Sequence, residues 1–242
     1  MSSKALLIEI GSEDLPANNL ENISLQISSH INRNMKRNNI IFKSIKNYYT
    51  CRRLIFLVDD LQEKITLKES EIKGPRCDSV GNSPQAVEGF AKKHNVSLKG
   101  LKKKDYDGIE YFIYKRPSTS INSIDLIPNI LIESLKDFKS QKMMKWGNNA
   151  FSFVRPIKWV LIIYGDQIIN SDIYNIKTRN YSFGHRVKLN NKIEIKSVDD
   201  YFRKINDSGV LIDQEERRGL INKIITQKIK ESNFDLSVPS DY

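Results

Sequence analysis

QKMMKWGNNAFSFVRPIKWVLIIYGD, residues 141–166, holds both tryptophans of the chain, Trp146 and Trp159, and its longest apolar run, Trp159 to Tyr164. Arg155-Pro156 stands just before that run and Gly165-Asp166 stops it. An apolar run rich in β-branched and aromatic residues, bounded by Pro and by Gly-Asp, predicts a buried strand. Trp159 heads the run and belongs to the core. Lys142, Lys145 and Trp146 precede it as a basic, aromatic loop.

Outward from that unit, residues 4–10 and 53–59 predict strands, and 41–50 a further one. Leu20, Ile23, Ile27 and Ile31 recur at helical spacing after Pro16, with Ser12 or Asp14 as the cap. Residues 62–83 read as irregular, with Lys73-Gly74-Pro75-Arg76 as a rigid basic turn. Ser83 can cap a helix starting at Pro84. Lys99 to Lys104 reads as a basic connection, 109–115 as a strand, and the segment after Pro128 as a helix. Residues 167–176 and 192–196 predict strands, with a loop at 177–187 carrying Arg179, His185 and Arg186. Ser197 caps a short helix. A last polar helix spans 213–232, with Leu220, Ile224, Ile225 and Ile229 as its apolar face. Strands and helices interleave without strict alternation. The class is therefore α+β, with mixed or antiparallel sheets and packed helices. Two subdomains are expected, 1–117 and 118–242, the second ending in the polar helix.

At 242 residues the chain can bury a sizeable core, and 39% apolar with 28% charged residues suits a globular protein. No apolar run approaches the roughly 18–20 residues of a membrane helix, and Glu9 interrupts the short N-terminal apolar stretch, so a cytoplasmic protein is expected. Cys51 and Cys77 lack the spacing of a zinc site or disulfide framework. The net charge of +10 is the footprint of a protein that meets polyanions; the competing reading is that the abundant Ile, Asn and Lys, whose codons are AT-rich, reflect nucleotide bias, which alone raises the lysine count. The arginines are more telling. Arg52, Arg53, Arg76, Arg155, Arg179 and Arg186 lie beside Gly, Pro or aromatic residues at strand ends, where a planar guanidinium suits phosphate or carboxylate. Two readings of Arg52-Arg53 stay open: a clamp on a phosphate backbone or partner carboxylates, or ion pairs with Glu9, Glu13 and Asp14.

Catalytic and metal motifs are missing. GxGxxG, GxxxxGK(S/T), HExxH and GxSxG do not occur, and His30, His94 and His185 are scattered. Neither a catalytic centre nor a metal site is expected. His185 and the Glu9, Glu13, Asp14 cluster are the only groups placed for acid–base work.

Seven strings follow one another along the chain: LLIEIGSEDLPA at 6–17, TCRRLIFLV at 50–58, KGPRCD at 73–78, AVEGFAKKH at 86–94, KMMKWG at 142–147, FVRPIKWVLIIYGD at 153–166 and YSFGHR at 181–186. In this order the chain resembles the N-terminal part of the β subunit of bacterial glycyl-tRNA synthetase, the heterotetrameric type. Cys51 stands where that family usually has Pro, which implies a less rigid turn. Lys145 stands where Arg is common, which weakens a planar-fork role there.

The resemblance implies a region that supports ATP-dependent attachment of glycine to tRNA(Gly) through tRNA binding and subunit assembly. The aminoacylation site, with ATP and magnesium, is then on a partner α subunit, in a complex of two α and two β chains. No cofactor is expected on this chain. The family β subunit continues into a central body and an anticodon-binding region, so the chain reads as a fragment. Contact candidates for tRNA or a partner are Arg52, Arg53, Lys73, Arg76, Lys142, Lys145, Trp146, Arg155, Arg179, His185 and Arg186. A docking module without RNA contact and an editing-type deacylase are the alternatives.

Overall fold

A computed structural model of the protein describes residues 3–67, 69–77, 84–148, 150–187 and 191–232. In chain order the first elements are β1 (Ser3–Ser12), α1 (Leu20–Arg37), β2 (Ser44–Thr50), β3 (Arg53–Gln62), β4 (Lys64–Leu67), β5 (Ser70–Arg76), α2 (Pro84–Lys93), β6 (Lys102–Tyr106), β7 (Ile109–Arg116) and β8 (Thr119–Asn122). There follow α3 (Ile127–Asp137), β9 (Met144–Lys145), β10 (Ser152–Phe153), β11 (Ile157–Tyr164), β12 (Gln167–Ile168), β13 (Asp172–Ile173), β14 (Ile176–Lys177), β15 (Tyr181–Phe183), β16 (Lys192–Glu194), α4 (Val198–Asp207) and α5 (Gln214–Ser232). The class is α+β, and every strand pair described is antiparallel.

The chain forms two compact units. One combines the described residues up to Glu63 with those from Asn122 onward; the other is Lys64–Ile121. These units do not follow the expected division into 1–117 and 118–242: only the second crossing lies near that cut. The reason is long-range pairing. β1 hydrogen-bonds with β11 from Leu6↔Tyr164 to Gly11↔Trp159, so segments on either side of Lys64–Ile121 in the sequence share one sheet.

That sheet has five strands in the order β12-β11-β1-β3-β2. The strand read from the apolar run is β11, but β1 is the central strand. Residues Leu6 to Ile10 are all fully buried, as expected of a strand covered on both faces. Alternation sends Leu7, Ile55, Leu161 and Ile163 to one face, where they pack with Val198, Tyr201 and Ile205 of α4. Asn47 marks the other face: it pairs with Phe56 and its Nδ2 donates to Ser24 Oγ of α1 at 2.9 Å. There α1 turns its buried Ile23, Ile27 and Ile31 inward. α1 is fastened to α3 by Asn34 Nδ2 to Ser134 Oγ, 3.0 Å, and by Arg33 to Asp137, 2.6 Å.

Several elements depart from the sequence reading. Residues 64–76, read as irregular, form β4 and β5, and KGPR is a bulged strand rather than a turn. The basic connection at 99–104 contains most of β6. Residues 167–176 break into β12, β13 and the start of β14 instead of one strand. The loop at 177–187 contains β15. Neither Ser12 nor Asp14 caps α1: a 3-10 turn at Ala17–Asn19 leads into it and Asn19 occupies the cap position. Ser83 lies outside the described residues. On α5, Leu220, Ile221, Ile224 and Ile225 are each 37–55% exposed, so the expected apolar face does not join this core. Among the described residues, no helix is long and apolar enough to cross a membrane.

The cap at Ser197 is as read: its Oγ accepts from Asp200 N at 3.1 Å, and Asp200 reaches back to Lys196 N at 3.0 Å. Lys204, with Arg203 and the Lys196 N–H, holds the Asp200 carboxyl down to about 2. A depressed carboxyl stabilises the fold above its unfolded value and stops doing so as pH falls through the folded one. Asp200→Asn is therefore expected to lower the unfolding free energy by about 1 kcal/mol at pH 6, read as a lower urea midpoint. The difference from the parent should shrink as the pH falls from about 4 towards 2.

Candidate functional site

The turn between β2 and β3 is Cys51-Arg52, closed by the pair Thr50↔Arg53. The chain leaving β1 crosses it: Ser12 N donates to Arg52 O at 2.8 Å and Leu15 N to Cys51 O at 2.7 Å. After β15, His185 N donates to Ser208 O at 3.3 Å, which ties that loop to the end of α4. Gly209 follows α4 with φ +81°, a conformation glycine adopts without strain. These segments and the first turn of α5 enclose a cleft of about 580 Å³. Ala17, Leu20, Val210 and Leu211 line it with apolar surface; Arg52, Arg53, His185, Arg186 and Arg217 bring the basic groups.

The guanidinium groups have different environments. Arg186 Nη1 lies 3.1 Å from Asp14 Oδ2, and Arg52 Nε lies 3.8 Å from Asp14 Oδ1, so two cations share one carboxylate. Arg217 donates to the carbonyls of Leu211, Ile212 and Tyr49 at 2.7–2.8 Å. Burial lowers its pKa from the ordinary arginine value, yet guanidinium stays charged in proteins. Arg53 turns inward and is only 4% exposed. It meets Glu9 Oε1 at 3.3 Å and donates to Phe183 O at 2.8 Å. Of the two readings of Arg52-Arg53, the ion-pair one describes Arg53. Arg52 keeps part of its surface at the cleft.

Glu9 sits behind this wall with no solvent exposure. Ser182 Oγ donates to its Oε1 at 2.8 Å. Burial pushes the Glu9 carboxyl up; Arg53 first, then Ser182, pull it back without cancelling that effect. A sealed carboxyl cannot exchange protons with a substrate in the cleft. Glu13 instead faces Lys158 at 2.9 Å, whose hydrogen bond lowers its carboxyl pKa. The Glu9, Glu13, Asp14 cluster is thus three separate ion-pair partners. Among the described residues no group of three or more His, Cys, Asp and Glu could hold a metal ion.

The other candidates lie elsewhere. Lys142 and Arg155 line a second cleft of about 630 Å³, with Asn18, Asn19, Asn22 and Gln26. Trp146 is half-buried, its ring edge-on to Phe151 at 5.8 Å, and Phe151 stacks on Tyr174 at 3.7 Å. Lys145 is exposed on β9 opposite Ser152. Arg179 is exposed, with its backbone N–H bound to Val160 O. Lys73 and Arg76 belong to the unit Lys64–Ile121. Sequence reasoning named Arg52, Arg53, His185 and Arg186, which the structure brings together, but missed Arg217. Its only local signal is the adjacent pair Arg217-Arg218 in a helix that reads as solvated.

The family model described as glycyl-tRNA synthetase beta subunit matches residues 6–241. The chain is 32% identical over 241 residues to the glycine–tRNA ligase beta subunit of Dictyoglomus turgidum, covering 98% of this chain and 35% of that protein. Over 243 residues it is 32% identical to the beta subunit of Listeria monocytogenes, with 99% and 35% covered. Over 239 residues it is 29% identical to that of Lactococcus lactis subsp. cremoris, with 97% and 35% covered. The chain spans about a third of the length of these curated relatives. A match over nearly the whole chain settles the kinship: this protein belongs to the glycyl-tRNA synthetase beta subunit family.

Proposed function

We propose that the chain is the tRNA-contacting N-terminal region of a cytoplasmic glycine–tRNA ligase β subunit. In this reading it supports ATP-dependent joining of glycine to tRNA(Gly), while ATP and magnesium act on a partner α subunit in an assembly of two α and two β chains. One observation carries the reading: Arg52, Arg186 and Arg217 converge on a single cleft in which, among the described residues, Asp14 is the one carboxylate of the lining. Two guanidinium groups sharing one carboxylate retain charge and N–H donors for phosphate oxygens.

The test is tRNA(Gly) binding by the assembled α–β complex across a salt series. Arg52→Ala and Arg186→Ala are each expected to weaken binding and to lower the salt slope by about 0.7–0.9, the release of one phosphate's counterions. Thermal stability should change little for Arg186→Ala, because an exposed ion pair contributes about 0–1 kcal/mol; Arg52 is only 21% exposed, so its variant is compared at matched folded fraction. Unchanged affinity and slope with intact assembly would remove the cleft from the RNA contact. A loss of α-subunit association, with tRNA contacts unaltered, would assign it to docking instead.

A further inference from the structure

In the unit Lys64–Ile121, three antiparallel strands run in the order β5-β7-β6. Register and alternation sort their charges. Glu71, Lys73, Lys102, Lys104 and Lys115 share a face with Tyr111 and Ile113, because paired residues point the same way and Lys104 pairs with Tyr111. Asp105 and Glu110 pair with each other and fall on the opposite face. So does Tyr114, which stacks at 5.5 Å on His94, the residue that follows α2.

Arg76 would ordinarily point away from Lys73, three residues earlier. It does not, because the ladder slips: Lys73 pairs with Ile113 and Arg76 with Tyr111, three steps on β5 against two on β7. The extra residue is a β-bulge at Gly74-Pro75, and it re-aims Arg76 onto the face of Lys73. Glycine is needed there. A Cβ on Gly74 would lie 2.7 Å from the Phe90 ring of α2 and 2.9 Å from the Phe112 carbonyl oxygen. The outcome, among the described residues of these strands, is five cations and one carboxylate on one face. Glu71 takes two of the cations, Lys104 and Lys115. Lys73 and Arg76 meet no carboxylate among the described residues; tyrosines hold them instead. Lys73 Nζ lies 3.6 Å from the Tyr111 ring centroid and 4.6 Å from that of Tyr106, and Arg76 Nε donates to Tyr111 OH at 3.1 Å.

We infer that this tyrosine-braced basic face is a second RNA-contact surface, which takes the phosphate backbone of the tRNA and not its bases. The inference rests on the proposed tRNA role. Phosphate is favoured because an ammonium already lies over the ring faces where a base would stack. Bracing a cation beforehand also lowers the entropy lost when it is fixed on a ligand. Tyr111 is a positioning residue here.

The experiment uses the same α–β complex and labelled tRNA(Gly) in a salt series. The double variant Lys73→Ala, Arg76→Ala is expected to lower the salt slope by about 1–2 and weaken binding roughly ten-fold or more near 0.1 M salt. Lys73→Glu should weaken it further, and Tyr111→Leu should weaken it while leaving the slope in place. Unchanged tRNA binding by these variants overturns the inference, including the case where they lose α-subunit association. So does a Tyr111→Leu loss that depends on base identity, which would mean stacking. Loss with Arg52→Ala and Arg186→Ala but not with Lys73→Ala, Arg76→Ala removes this face alone. The converse leaves this face standing and removes the cleft. A parent complex whose tRNA affinity ignores salt overturns both.

Discussion

Replacing Gly11 by alanine is expected to cost the fold at least about 3 kcal/mol, at or beyond the upper end of ordinary overpacking. A Cβ at this position would sit 1.9–2.2 Å from three atoms of the Trp159 ring. Gly11 and Trp159 face each other across the β1–β11 ladder, so the indole lies directly on the glycine. The ring has no room to move aside: it is 3% exposed, Phe183 packs on it at 4.7 Å and the Arg53 guanidinium lies 5.9 Å from its centroid. Domains are stable by only about 5–15 kcal/mol, so the shift is a large share of the whole. Urea unfolding of Gly11→Ala should show a much lower midpoint, or the protein should collect in the insoluble fraction. Trp159→Leu in the same chain should restore part of the loss, because the two changes act on one contact. A Gly11→Ala midpoint equal to the parent's would refute this account of the strand pair.

The second large effect belongs to the buried pair Glu9–Arg53. Removing one partner of such a pair leaves an uncompensated charge in the interior and costs about 3–5 kcal/mol. Arg53→Met should therefore be strongly destabilised at pH 7. The loss should ease as pH falls, because Glu9 can then be buried neutral. Burial already raises this carboxyl in the parent, and without Arg53 nothing equivalent pulls it down. A group whose folded pKa lies above its unfolded one stabilises fully below the unfolded value, about 4.3 for Glu. It loses that contribution as pH rises through the folded value. Glu9→Gln should also be destabilised, since Arg53 then lacks its counter-charge, but with no carboxyl at this position to titrate it should not regain stability as pH falls in the way Arg53→Met does. Chemical denaturation of both variants across that range distinguishes them, and equal pH profiles would be inconsistent with a pair held this way. The pair also bears on the cleft. Arg53 is spent on Glu9, Ser182 and the Phe183 carbonyl, so it supports the wall that presents Arg52 and does not meet a ligand itself.

Much of the architecture was legible because it is encoded locally. Residues 159–164 form a strand since bulky, branched side chains that must all be buried suit a sheet covered on both faces. α1 follows from Leu20, Ile23, Ile27 and Ile31, whose spacing leaves one apolar stripe. The Ser197 cap needs only its own side chain and the N–H three residues on. The seven ordered strings carried the family without any coordinates. What failed locally failed for a common reason. Gly74-Pro75 reads as a turn because nothing nearby reveals that β7 will offer partners on either side of a bulge. Arg217 reads as solvated because the Tyr49 carbonyl that it bonds lies 168 residues away.

The sequence by itself determined the α+β class, the buried strands, the helix that packs beneath them, the family and the arginine-bearing turns. Each of these depends on side-chain type and on spacing within a few residues. Only the tertiary structure decided which turns meet. It joined Arg52, Arg186 and Arg217 in one cleft and sealed Glu9 behind Arg53. It made β1 the centre of the sheet and gathered the cations of Lys64–Ile121 onto one face. Those outcomes depend on contacts between distant segments; in the strands a register shift of a single residue would send Glu9, or the cations of β5 and β6, to the other face.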